Sequence, residues 1–390
     1  MDTFERVRQD FPVTIRYKYF NTGFFGPVSS KVTEAIKAYL DECCTKGMGS
    51  YEVFAKALEA KENARKELAK LLHAQIEETA ILTRATEGIN LVVKSFPWEK
   101  GDKIVINSQE YTPTMRLWQY LESFYGVNIV VVNADKNGLI DPADVDRAID
   151  KNTKLISMCH VTFDTGTILP AREIGKIARE HEVPYLLDGA QAVGAIDVDV
   201  KDIGCHFYAI AGQKFLGAGE GTGALYFEKT AGEKLAPLII SGPYTSAFVP
   251  GMAKVEAAPV TSPDGKLLPP YKFETASLNY PGIVGLATAT KYLNGIGIDR
   301  TSNRIRKLVA TAFESLRHVS KLSFVGTADV ESRLFASFEM KNLPNPKVTA
   351  YLQEKQIICR ALDKCVRACL HFINTEEEIE ELRVSLEKLS

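Results

Sequence analysis

The 390-residue chain lacks any run of roughly 18 apolar residues, the least a membrane-crossing helix needs. Its opening, MDTFERVRQDF, is charged from the second residue and has no apolar core. A secretory leader is therefore not expected, and a cytoplasmic location is. Neither sign of charge is in excess. Lys and Arg number 47 against 49 Asp and Glu, a formal net charge of −2 that leaves no electrostatic footprint for nucleic acid or an anionic membrane. The seven cysteines form no CxxC pair, and an odd count at irregular spacing argues against a disulfide framework. The six histidines show no HExxH-like spacing, so no metal site is expected. Internal repeats and low-complexity tracts are also missing. What remains is an ordinary globular composition, 45% apolar and 25% charged, in a chain too long for one typical core.

The most informative stretch runs from Tyr185 to Phe227. It opens as an apolar run ending in Asp188, the pattern of a buried strand that delivers a carboxylate to its C-terminal edge. A second apolar run, Phe207–Ile210, ends just before Lys214. A glycine-rich turn, Gly217–Gly223, then leads into a third, Ala224–Phe227. A carboxylate and a lysine at neighbouring strand ends suit a pyridoxal phosphate site. The amine forms an imine with the aldehyde, and the carboxylate keeps the pyridine nitrogen protonated.

Elsewhere, helical spacing predicts helices over 31–46, 51–72, 89–96, 114–124, 172–180, 283–294, 304–316 and 347–354. Short strands are expected at 80–82, 103–106, 128–132 and 155–161. Strands alternating with helices through 80–227 predict an α/β fold with a mostly parallel sheet covered on both faces. TRATEG (Thr83–Gly88) joins a strand to a helix and has the makings of an anion site, with Thr86 adding a hydroxyl; an N-cap alone is the plainer alternative. Tyr111 follows a strand and is placed either to stack on a planar ring or to sit in the core. Segment 241–272, rich in Pro and Gly with little periodicity, suits a cover for a site or a reach toward a partner subunit. From about Asp299 the pattern becomes α+β, and Thr375 with Glu378 three residues on forms a capping box for the last helix.

Eight motifs in order, YFNTGFFGP, RATEGIN, SQEYT, HVTFDTGTILP, LLDGAQAVG, GQKFLGAGEGTG, FETAS and VRACLHFINTEEEI, resemble the class V aminotransferase and cysteine desulfurase family of pyridoxal phosphate enzymes. The resemblance runs from about Tyr19 to the end of the chain. It implies fold type I, with a seven-stranded mostly parallel sheet in a large domain (21–282) after an arm (1–20). A connecting helix and a small C-terminal domain (283–390) complete the expected organisation. It also implies a homodimer whose sites are shared between subunits.

By this resemblance Lys214 is the Schiff-base lysine and Asp188 the partner of the ring nitrogen. Gln191 bonds the ring's 3-oxygen, and Tyr111 stacks on the ring. Ala85, Thr86 and Glu87 form the phosphate-binding turn. Ser277 matches a phosphate contact made from the partner subunit, and Thr162 and Gln213 complete the cofactor set. Asn21, Arg360 and Arg367 are expected at the substrate, the two arginines holding its carboxylate through planar forks.

The chain departs from the desulfurase pattern in three places. Tyr111 stands where many have histidine. Gln213 replaces the histidine before the lysine. Cys365 lies at the spacing of a persulfide cysteine, but in a shortened loop, and is read as structural. The tail from Arg360 to Glu378 is closest to cystine and cysteine C–S lyases, and YFNTGFFGP with HVTFDTGTILP also resembles the isopenicillin N epimerase-like branch.

The expected activity is thus C–S lyase or desulfurase-like chemistry on an L-amino acid. Transamination and epimerisation are the alternatives, since all three share the first proton transfer. A nicotinamide-dependent oxidoreductase does not fit. A dinucleotide loop opens a helix, whereas Gly217–Gly223 leads into a strand. Loss of Lys214 or Asp188 would have favoured a non-catalytic binding or regulatory module, and both are present.

Overall fold

The structure is a computed structural model and describes residues 3–239 and 268–389. Its centre is a seven-stranded sheet. Across the sheet the strands run Thr79–Leu82, Gly223–Phe227, Phe207–Ala211, Tyr185–Asp188, Thr153–Cys159, Lys103–Asn107 and Asn128–Val132. All pairings are parallel except those of Gly223–Phe227, which runs against both neighbours.

The middle strands are buried on both faces, which explains their unbroken apolar sequences. Alternate residues enter two separate cores. Ile81, Val105, Ile156, Leu187, Ile210 and Tyr226 face one. Leu82, Ile106, Leu155, Leu186, Phe207 and Leu225 face the other.

The strand order reverses at Lys103–Asn107. The next strand in sequence, Asn128–Val132, lies on one side of it, and Thr153–Cys159 lies on the other. Ligands of parallel α/β sheets gather at such a reversal, beyond the carboxyl ends of the strands. Glu110, Tyr111, Thr162, Phe163, Asp188 and Lys214 all follow or end strands at that edge.

Most expected elements form, with shifted ends. The helix expected at 89–96 is Ala85–Lys94 and begins four residues earlier. Two short helices, Pro142–Ala148 and Val200–Ile203, escaped the periodicity, being too brief to display it. Ser29 and Ser50 cap their helices by accepting from the backbone N–H of Val32 and Val53. The Thr375–Glu378 capping box is present, with reciprocal bonds of 3.3 Å. Segment 240–267, most of the Pro- and Gly-rich stretch, lies outside the described residues.

A smaller four-stranded antiparallel sheet orders Arg360–Ala361, Val366–Ala368, Ala336–Met340 and Leu322–Phe324. The amino-terminal residues join this region. Lys18–Tyr19 pairs in parallel with Ile357–Ile358, and Arg8 reaches the Ile373 carbonyl and the Glu378 carboxylate.

One buried ion network locks the edge of the large sheet. Arg65, fully enclosed, contacts Glu62 at 2.9 Å, Glu274 at 2.8 Å and the Thr79 carbonyl. Lys61 adds 3.3 Å to Glu274, whose other oxygen accepts from the Ile81 backbone N–H at 2.7 Å. The facing cations hold the Glu274 carboxyl below the usual carboxylate range against the opposing effect of burial. Removing one member leaves buried charge uncompensated. Glu274→Ala should therefore lower stability by about 3 kcal/mol in urea unfolding. Replacing Arg383, whose pairs with Glu380 and Glu387 lie at the surface, should change little. Equal midpoints for the two variants would contradict the structural role of the network.

Candidate active site

Lys214 follows the Phe207–Ala211 strand by three residues. The turn there is tight because Gly217 takes φ +64° and donates to the Lys214 carbonyl at 3.0 Å. Asp188 ends the adjacent strand, and its Oδ1 accepts from the Ala190 backbone N–H at 2.9 Å.

Burial pulls the Lys214 amine down to about 8, opposed by the charge of Asp188 and assisted by that of Arg367. Burial raises the Asp188 carboxyl, opposed by Lys214 and the Ala190 N–H. The pair thus holds a base that is partly neutral near physiological pH beside an enclosed acid. The Lys214 Nζ lies 5.7 Å from the centre of the Tyr111 ring. Tyr111 is 38% exposed, and Phe163 packs edge-on against it at 5.4 Å. Tyr111 is therefore a partly open platform above the amine, not a core residue.

The amino-terminal loop lies across this crevice. The Gly26 N–H donates to the Gln213 carbonyl at 2.7 Å, and the Gly23 carbonyl accepts from Gln191 Nε2 at 2.9 Å. A side chain at Gly26 would put its Cβ 1.7 Å from the Lys214 carbonyl oxygen, so only glycine permits the approach. Asn21 forms a backbone bridge with Cys369, and the Gly23 N–H is directed at the Cys369 thiol.

The turn at Ala85, Thr86 and Glu87 is the first turn of a helix whose N-cap, Arg84, provides no side-chain cap. Its backbone N–H groups are available to an anion. The Thr86 hydroxyl has no hydrogen bond among the described residues. The Glu87 carboxylate folds back onto the Thr83 N–H (2.7 Å) and hydroxyl (2.6 Å), so Glu87 has only its backbone to offer. Thr162 is fully buried. Its hydroxyl meets that of Thr165 at 2.7 Å and accepts from the Thr167 N–H at 2.9 Å. It closes its own turn, which leaves little for the ligand role expected of it.

Arg360 and Arg367 stand directly opposite each other in an antiparallel pair. Like charges across a sheet are unfavourable without an anion between them. Arg360 lies 3.9 Å over the Phe24 ring and has no carboxylate partner among the described residues. Arg367 is 3% exposed and donates to the Phe163 carbonyl, with its Nε unpartnered. Ser277 is exposed and takes φ +55°. Cys365 is fully buried inside a four-residue hairpin, where Leu362 N bonds Cys365 O at 2.8 Å and the thiol lies 3.6 Å from the Asp164 carbonyl.

Several buried polar atoms here lack any partner among the described residues: Asn21 Oδ1, Gln191 Oε1, Gln213 Oε1 and Arg367 Nε. Buried polar groups are ordinarily paired, so a cluster of orphans around Lys214 marks the place of a polar ligand. Together with the uncapped helix end and the Asp188 carboxylate, they fit pyridoxal 5′-phosphate. The structure also draws in residues that motif reading passed over. Glu110, the neighbour of Tyr111 in sequence, is buried and accepts from the Asn107 side chain, and the carbonyl of Phe163 accepts from Arg367. The signal for Glu110 was a lone carboxylate just past an apolar strand.

An α/β sheet with this lysine–aspartate pair beyond the carboxyl ends of its central strands defines a pyridoxal phosphate enzyme of fold type I. The chain belongs to the class-V aminotransferase family, whose profile matches residues 27–388. A probable cysteine desulfurase of Methanothermobacter thermautotrophicus is 29% identical, over 99% of this chain and 98% of that protein. The apo cysteine desulfurase of Thermococcus onnurineus NA1 superposes with a TM-score of 0.87 at 28% identity, covering 100% and 98% of the two chains. A cystine C–S lyase solved with its product cysteine persulfide shares the fold, with a TM-score of 0.87 at 22% identity over 97% and 99%. No helix among the described residues is long and apolar enough to cross a membrane.

The lowered Lys214 value sets a pH dependence. The neutral amine is the form that attacks an aldehyde, and burial disfavours the charged form. Capture of pyridoxal phosphate by cofactor-free protein should therefore accelerate as pH rises through about 8, followed by growth of the visible band. A midpoint near the ordinary lysine range would remove the desolvated pair from the account.

Proposed function

We propose that this protein cleaves the C–S bond of a cysteine- or cystine-like L-amino acid, releasing the sulfur directly rather than onto a cysteine of its own. When bound, pyridoxal phosphate supplies an electrophilic carbon for the substrate amine and a protonated ring that accepts the electron pair left at Cα. Asp188 holds the proton on the ring nitrogen. The N–H groups of Ala85, Thr86 and Glu87 with the Thr86 hydroxyl hold the phosphate. Tyr111 covers one ring face, while Gln191 and Gln213 bring polar oxygens to the ring's edge. Arg360 and Arg367 hold the substrate carboxylate, Asn21 lies beside them, and the Lys214 amine removes the Cα proton. Departure of the β-sulfur then gives sulfide or a persulfide, with pyruvate and ammonia after hydrolysis.

The observation that favours direct release is the position of Cys365. Its thiol is buried in a tight hairpin, and burial with the neighbouring Asp164 raises it to about 12. A sulfur acceptor needs an accessible thiolate. The family's desulfurases and the C–S lyase support the C–S branch, and transamination or epimerisation remains the alternative for the same first step.

A panel of L-amino acids scored separately for sulfide, pyruvate, keto acid and racemised product tests this reading. L-Cystine or L-cysteine should yield sulfur and pyruvate, and Lys214→Ala should abolish turnover. Cys365→Ala should keep turnover within about twofold, against the orders of magnitude lost with a true nucleophile. A keto acid that retains the substrate's sulfur as the sole product, or a dead Cys365→Ala variant that still folds, would refute direct C–S cleavage. The reading also places Ser277 of a second copy at the phosphate. Sedimentation should then give a dimer, and a fully active monomer would exclude the shared site.

A further inference from the structure

Glu110 lies three residues beyond Asn107, the last residue of its strand, and is 5% exposed. Asn107 Nδ2 donates to Glu110 Oε1 at 2.5 Å, and the Cys159 backbone N–H is directed at the same carboxyl. Cys159 is the direct neighbour of Asp188 across the parallel pair. Glu110, Cys159 and Asp188 thus occupy three adjacent strand ends at the reversal point of the sheet. No step assigned above uses Glu110.

We propose that Glu110 is a positioning residue for the cofactor ring, acting through Asp188 as the second carboxyl of a buried acid pair. The inference rests on the cofactor reading of the site, not on which bond is cleaved. Among the described residues, the titratable groups coupled to Glu110 are acids: Asp188 and Tyr185 from one strand, Cys159 from the next. The Lys214 amine acts on Asp188.

Two buried carboxyls served by one amine do not both ionise, because each charge opposes the other in a medium that solvates neither. The asymmetry of their surroundings decides where the proton stays. Burial and the charge of Asp188 push Glu110 well above the usual carboxylate range, against the opposing pull of the Cys159 and Asn107 N–H groups. Asp188 is raised by burial but drawn back by Lys214 and the Ala190 N–H. Glu110 keeps the proton, and Asp188 keeps the charge. The negative end of the site is then fixed on the one carboxylate that faces the ring nitrogen and the lysine.

The test uses holoenzyme without substrate, so its result does not depend on the reaction catalysed. Parent, Glu110→Gln and Glu110→Leu are compared by pH titration of the visible band, by equilibrium dialysis of pyridoxal phosphate, and by thermal unfolding of their cofactor-free forms. Glutamine imitates a neutral carboxyl. Glu110→Gln should match the parent midpoint within about 0.3 pH unit. Glu110→Leu removes the polar partner and should move the midpoint by at least about 0.5 unit and weaken cofactor binding about tenfold. A shift in Glu110→Gln of about a unit would show that Glu110 is charged, overturning the proposal. A leucine variant that only melts earlier, with midpoint and affinity unmoved, would reduce Glu110 to packing and overturn it equally. A parent that takes up no pyridoxal phosphate would instead defeat the cofactor reading itself.

Discussion

Burial of Asp188 beside Lys214 disfavours the charged form of each, and their mutual attraction opposes that cost. This balance requires a floor that excludes water and does not yield. The sheet provides it: the strands that end in Asp188 and precede Lys214 are buried over every residue and lie side by side in register. Two cores clamp them from opposite faces. The glycines around the site follow from the same constraint. Gly26 and Gly217 let backbone, rather than side chains, close over the lysine carbonyl.

The polar groups around the pair divide into those satisfied by the protein and those left open. Thr162 and the Glu87 carboxylate are satisfied, and each holds a turn in shape. Asn21 Oδ1, Gln191 Oε1, Gln213 Oε1 and Arg367 Nε are open, and they cluster where the ligand belongs. Arg360 belongs to the open group by another route. It rests on the Phe24 ring, a neighbour that holds a guanidinium without neutralising it. Its charge thus remains available to a carboxylate.

Much of the fold was legible before any coordinates. The unbroken apolar runs before Asp188 and Lys214 announce strands buried on both faces, and their spacing with intervening helices announces a parallel sheet. Helix ends were less legible. The Ala85–Lys94 helix starts earlier than its periodicity because Ala85, Thr86 and Glu87 are held by tertiary packing and by Glu87 bonding back to Thr83. Among site residues, Lys214, Asp188 and Arg367 act on one another electrostatically, and Gln191 bonds the loop that lies over Lys214. The engagement of Thr162 was hidden, since a threonine motif does not tell which hydroxyl faces outward. Glu110 was hidden for a different reason. A carboxylate beside a tyrosine reads as a solvated loop residue until the sheet order brings Cys159 and Asp188 against it.

The loop at Asn21–Gly26 and the strand end at Cys369 meet over Lys214, although they stand at opposite ends of the chain. The pocket therefore has a very high sequence separation among its walls. During synthesis, the sheet, the lysine and the aspartate are made long before Arg367 and Cys369 emerge. The wall that Arg367 and Cys369 provide is therefore the last part of the pocket to be synthesised, and it meets the first-made loop only through contacts that span almost the whole chain.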